Sequence, residues 1–79
     1  MNPIVIHVKP EQNFFLLLTF SNGEVKRFDL TPYLGFGIFK ELQDLSVFNS
    51  VNPFLGSIQW ANGADLCPDT LYLKSLLSG

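Results

Sequence analysis

One cysteine, Cys67, and one histidine, His7, are all the thiol and imidazole ligands this 79-residue chain contains. A single thiol excludes an internal disulfide, and one His with one Cys falls short of the four ligands a structural zinc shell needs. Charge is scarce as well. Only 15% of residues are charged, and the five basic ones (Lys9, Lys26, Arg27, Lys40, Lys74) are scattered along the chain. With a net charge of −2 and no basic cluster, direct nucleic-acid binding by phosphate neutralisation is not expected. No long apolar run occurs. The longest, Phe14-Phe15-Leu16-Leu17-Leu18, is far too short to span a membrane. Met1-Asn2-Pro3 lacks the basic-then-apolar pattern of a signal peptide. With a lone reduced thiol, that points to the cytoplasm.

What the chain does have is hydrophobicity: 47% of residues are apolar, eight of them Phe. Such a composition is too apolar for disorder. Residues 1–79 are expected to form one domain whose core supplies no more than ~3–5 kcal/mol. The apolar excess leaves surface for a protein partner or for a second copy in a homodimer.

The pattern along the chain reads as α+β. Ile4 to Val8 is β-branched and predicts a first strand, with Ile4, Ile6 and Val8 on one face. Pro10 to Asn13 breaks it. Phe14 to Phe20, apolar on both faces, suits a central strand. Asn22-Gly23 then predicts a two-residue type I′ hairpin. That turn would pair Phe20 with Val25 and Leu17 with Phe28, placing Phe15, Leu17, Phe28 and Leu30 on the core face. Thr31-Pro32 marks a helix or turn entry. Ile38 to Gln43 predicts a helix, followed by a turn capped by Asp44. A second hairpin system runs from Val51 to Leu66 through Leu55-Gly56 and Asn62-Gly63, with Trp60 opposite Asp65 and Ile58 opposite Cys67. Pro68 and Asp69 open a C-terminal helix whose apolar stripe would be Tyr72, Leu73, Leu76 and Leu77. The order is thus a three-stranded antiparallel meander, a helix, a second hairpin or meander, and a C-terminal helix.

Several segments carry a resemblance. They are Phe20-Ser21-Asn22-Gly23-Glu24, Arg27-Phe28-Asp29-Leu30, Phe39, Leu42 and Phe48, Ile58 through Leu66, Pro68-Asp69, and Leu71-Tyr72. Together, over nearly the whole chain, they resemble DUF2442, a small bacterial domain of unknown function. The resemblance implies the meander–helix–strand–helix order just described. Some members of that family carry a helix-turn-helix DNA-binding domain after this one, and no such segment is expected within residues 1–79. Others stand beside a DUF4160 protein in an arrangement proposed to be a toxin–antitoxin pair. The resemblance supplies no catalytic residue and no cofactor.

Individual residues leave the choice of function open. His7 has no neighbouring orienter or nucleophile in sequence and reads as a structural or surface residue. Cys67, just before Pro68, stands where a thiol can be activated, but no Cys-His-Asn spacing accompanies it, so it reads as a cap-position residue. Asp29, Asp65 and Asp69 could pair for acid–base work or hold a hard cation. The plainer reading gives Asp69 to the helix start, Asp65 to its hairpin and Asp29 to the Thr31-Pro32 turn. Trp60 is either a core aromatic or an interface anchor. The expected function is a protein-interaction module, antitoxin-like in the sense of the resemblance, covering its partner with apolar area beside an acidic rim. The candidate interaction residues are Trp60, Asn62, Gly63, Asp65, Asp69 and Tyr72. A ligand-sensing regulatory domain is the alternative. An enzyme using Cys67 or an aspartate pair is the least expected, and no catalytic, cofactor or metal residue is assigned.

Overall fold

The computed structural model describes residues 2–77, which form two antiparallel sheets joined by short helical segments. The first sheet contains β1 (Val5–Glu11), β2 (Phe15–Phe20) and β3 (Val25–Asp29), with β7 (Leu76–Leu77) added to the far side of β3. The second contains β4 (Asn52–Phe54), β5 (Ser57–Gln59) and β6 (Asp65–Leu66). Between the sheets the chain runs through 3-10 turns at Thr31–Tyr33 and Gly37–Gln43 and then α1 (Leu45–Phe48). Helix α2 (Pro68–Lys74) leads into β7. The mixed α and β content agrees with the sequence reading, while the order of elements agrees only in part.

The largest difference is one of register. In the first hairpin Leu16 lies opposite Phe28 and Leu17 opposite Arg27, one residue away from the pairing expected of a two-residue turn. Phe20 N–H donates to Glu24 O and Gly23 N–H to Phe20 O, so the loop has three residues, Ser21 to Gly23. Only Gly23 takes positive φ (89°), and Asn22 Oδ1 accepts the Glu24 N–H at 3.0 Å. This is a type I turn closed by a glycine bulge, the second common hairpin solution. Because strand side chains alternate, a one-residue slip reverses the buried face. Leu16, Leu18 and Phe20 are therefore fully buried, with Phe28 at 1% exposure, and Phe15 and Leu17 face outward.

The second Asn-Gly turn repeats the geometry atom for atom. Trp60 N–H donates to Ala64 O, Gly63 has φ 90°, and Asn62 Oδ1 accepts the Ala64 N–H. Ile58 consequently faces Leu66, and Gln59 faces Asp65. Trp60 faces Ala64 instead of Asp65, and both are buried.

Two further expectations are corrected. In the first strand Val5 is buried while Ile4 and Ile6 are exposed, and a register shift between Val5 and His7 turns Val8 back toward the core. At the C-terminal end the helix stops at Lys74. Ser75 adopts extended backbone, its Oγ donating to Leu71 O, and Leu76-Leu77 pairs with β3. The helix's buried residue is Leu71; of the expected Tyr72, Leu73, Leu76 and Leu77 stripe, Tyr72 packs against the core and the three leucines are exposed.

One cluster contains all the buried apolar side chains of the described residues, drawn from both sheets, the Leu42 and Phe48 turns and α2. Edge-on aromatic contacts link Phe14 with Phe48, Phe20 with Tyr72 and Phe39 with Trp60. The sheets meet where Val5 N–H donates to Gly56 O. Among the described residues no buried side-chain polar atom lacks a hydrogen-bond partner.

Candidate functional site

The candidate interaction residues do not converge on one surface. Trp60 is core: it is 2% exposed, and its indole Nε1 donates to Phe48 O at 3.0 Å. It cannot anchor a partner and is removed from the candidate surface. Asn62 is a brace. Beyond closing its own turn, its Nδ2 donates to Glu41 Oε1 at 3.0 Å, tying the second hairpin to the Gly37–Gln43 segment. Gly63 supplies the left-handed backbone that this turn requires.

Tyr72 belongs to the opposite hairpin. Its hydroxyl donates to Glu24 Oε1, which also accepts from Asn22 Nδ2. Lys26 Nζ lies 3.6 Å from the Tyr72 ring centroid and donates to Tyr72 O at 2.9 Å. The Tyr72 hydrogen bond, with help from Asn22 and Lys26, holds the Glu24 carboxyl below its ordinary range, and the same bond raises the Tyr72 hydroxyl above its own. This knot clamps α2 to the tip of the first hairpin.

The aspartates separate in the same way. Asp29 Oδ1 accepts from both the N–H and the hydroxyl of Thr31, fixing the Thr31–Tyr33 turn. Asp44 does likewise for Ser46 at the start of α1, and the paired bonds lower its carboxyl pKa. Asp69, in the first turn of α2, accepts from Asn2 Nδ2 at 3.1 Å. Asp65 is exposed on β6. No three His, Cys, Asp or Glu side chains gather in metal-binding geometry among the described residues.

Asp65 does border a distinctive feature. Across β5, the Leu55-Gly56 turn joins β4 to β5 with only two residues, and both have positive φ, 50° and 84°. This is the type I′ arrangement that the Asn-Gly pairs were expected to form. Leucine is a poor choice there, because its Cβ crowds the backbone in the left-handed region. Gly56 is well chosen: besides its φ, a Cβ would lie 3.1 Å from Ile4 Cγ2. Leu55 is nonetheless 87% exposed, and Phe54 beside it is 47% exposed. The two adjoin a groove of about 380 Å³ walled by Ile58, Leu66, Cys67 and Pro68, with Asp65 on its wall. Cys67 is exposed and precedes α2. A second, wider hollow of about 990 Å³ runs from the β1–β2 turn over part of the outward face of the first sheet, between Lys9, Glu11, Phe15, Arg27, Leu45 and Asn49. Both are open surface depressions.

Of the residues around this groove, the sequence reading named Asp65 as a candidate and did not name Phe54 or Leu55. A leucine placed before glycine in a two-residue hairpin loop was the available signal.

The architecture is that of a small mixed α/β protein with two antiparallel sheets and an exposed apolar turn. The chain belongs to a family described as a protein of unknown function, DUF2442, whose model matches residues 5–76, nearly its whole length. No curated protein and no solved structure matches it. No helix among the described residues is long and apolar enough to cross a membrane.

Proposed function

We propose that the protein is a protein-interaction module that engages its partner through the Leu55-Gly56 turn and the groove beside it. The observation that carries this reading is Leu55, a large apolar side chain left 87% exposed at a backbone position (φ 50°) where glycine or asparagine would be less strained. Backbone strain that stability does not require tends to mark functional positions. Phe54 and Leu55 would enter an apolar pocket on the partner. Asp65, with Asp69 in the first turn of α2, would supply an acidic rim and favour a partner whose contact surface is basic.

That chemistry fits an antitoxin-like role, in which the module covers a basic, RNA-contacting surface of a toxin encoded by the adjacent gene. Co-expression with that gene product tests it. The expected result is a complex that survives purification with the wild-type chain and is lost with Leu55→Asp. A neighbour that is harmless when expressed alone and never co-purifies would refute the antitoxin role. A complex indifferent to Leu55→Asp would refute the surface.

A further inference from the structure

The outward face of the first sheet carries charge in rows. Residues opposite one another on neighbouring strands share a face, so the register places Lys9, Leu17 and Arg27 side by side across β1, β2 and β3. The next outward row is Glu11, Phe15 and Asp29. One row is thus basic–Leu–basic and the other acidic–Phe–acidic. No outward residue of β2 belongs to the core, since Phe15 and Leu17 are absent from the buried cluster and from the side chains packed on it. Lys9, Arg27 and Asp29 are exposed.

We infer that this face is the interface of a homodimer in which two copies stack sheet on sheet with their strands antiparallel. Face-to-face sheets of identical chains are related by a two-fold axis lying between them. If that axis ran along β2, β1 would lie over β3 of the second copy, and Leu76 of β7, which continues the Lys9 row beside Arg27, would overhang the edge. Lys9 would then meet Arg27, and Glu11 would meet Asp29. Like charges so placed oppose association. If the axis runs across the strands, between the two rows, each strand lies over its own counterpart in the reverse direction. Leu17 then covers Phe15 of the second copy, Lys9 meets Glu11, and Arg27 meets Asp29. The existing Arg27–Glu11 ion pair within each chain joins these contacts into a continuous network. Charge pattern therefore selects the antiparallel one of the two stackings centred on β2, and Leu17 and Phe15 fill its centre. The occupant is a second copy because the face complements itself row for row.

The test is sedimentation equilibrium of the 79-residue chain in reducing buffer, since Cys67 is exposed and a disulfide would mimic association. The expected result is a dimer whose dissociation constant rises with salt. In the antiparallel stack, Lys9→Glu sets a new carboxylate against Glu11 of the second copy, and Glu11→Lys sets a new ammonium against Lys9, while Arg27 still meets Asp29 in both. Each variant should dissociate at least about tenfold more readily. An equimolar mixture of the two variants should form a 1:1 heterodimer, because each meets its opposite. Far-UV circular dichroism spectra matching wild type, with cooperative thermal unfolding at concentrations where every chain is monomeric, would establish that both remain folded. A wild-type chain that stays monomeric at high concentration and low salt would overturn the inference. So would tighter association of Lys9→Glu, the signature of the parallel stacking, or variants that fail to pair with one another.

Discussion

Arg27 reaches over the central strand to Glu11, Nε to Oε1 3.0 Å, so a single ion pair bridges the two strands flanking β2 on the sheet's outward face. The side chains remain 49% and 26% exposed, and water therefore screens the pair. An exposed ion pair of this kind contributes about 0.2–1 kcal/mol. Glu11→Gln is expected to lower the stability of the isolated chain by no more than that, and less at high salt. Urea unfolding at low protein concentration and two ionic strengths measures it. A loss well beyond 1 kcal/mol would mean that the pair orders the sheet itself.

Trp60 should behave as core. Trp60→Ala removes the largest fully buried side chain and should cost ~3–5 kcal/mol. A chain of this length has roughly that much to lose, so the variant is expected to be largely unfolded by circular dichroism at 25 °C. Trp60→Phe keeps most of the volume but leaves Phe48 O without the indole donor. A buried acceptor left unpaired costs about 1–3 kcal/mol. That variant should fold with a reduced urea midpoint.

The Tyr72–Glu24 bond predicts an acid-sensitive clamp. Glu24 titrates lower in the folded chain than its ordinary 4.5, so its contribution is present above that value. It is lost as pH falls through the folded value. Tyr72 titrates higher than its ordinary 10.0, so its share is complete below 10 and disappears as pH rises through the folded value. Wild type should therefore exceed Glu24→Gln in thermal midpoint at pH 7, and the gap should close in the acid range. Asp44 is lowered too and remains in both proteins, so the comparison isolates Glu24. A gap that persists unchanged at pH 2 would show that the carboxylate's charge is not what matters.

How far the sequence could be read follows from these same residues. The strands, the two Asn-Gly loops, the Asp44 cap and the Pro68 helix start were legible because each depends on local chemistry. The register was not. Asn-Gly serves a two-residue turn with both residues left-handed. It serves equally a three-residue turn in which only Gly is, with the Asn carboxamide accepting an N–H two residues on. The composition of β2 could not arbitrate, because Phe15, Leu17 and Leu16, Leu18, Phe20 are apolar on either face. The same ambiguity recurred at Asn62-Gly63 and shifted that hairpin identically. Leu76 and Leu77 fit a helical stripe in sequence. Pairing with β3, a contact some fifty residues away in the chain, decided otherwise. Of the candidate surface, Asp65 was visible as an acid beside a turn. Leu55 was placed in a turn before Gly56, but its left-handed backbone and its exposure come from the folded chain.

That angle yields the sharpest prediction. Leu55 has φ 50° at the first central position of its turn, where Asn is the preferred residue. A bulky residue in the left-handed region costs roughly 1–2 kcal/mol. The Leu55 side chain, 87% exposed, recovers almost none of this by burial. Leu55→Asn should therefore raise the stability of the free protein by about 1 kcal/mol, read as a higher urea midpoint at constant slope. The same substitution removes the apolar anchor and should weaken the partner complex. A variant that is both more stable and deficient in binding separates the two roles of the turn, because a folding defect cannot explain lost binding in a stabilised chain. If Leu55→Asn were instead destabilising, the side chain would be making contacts that its exposure denies, and the assignment of Leu55 as a docking residue would lose its basis.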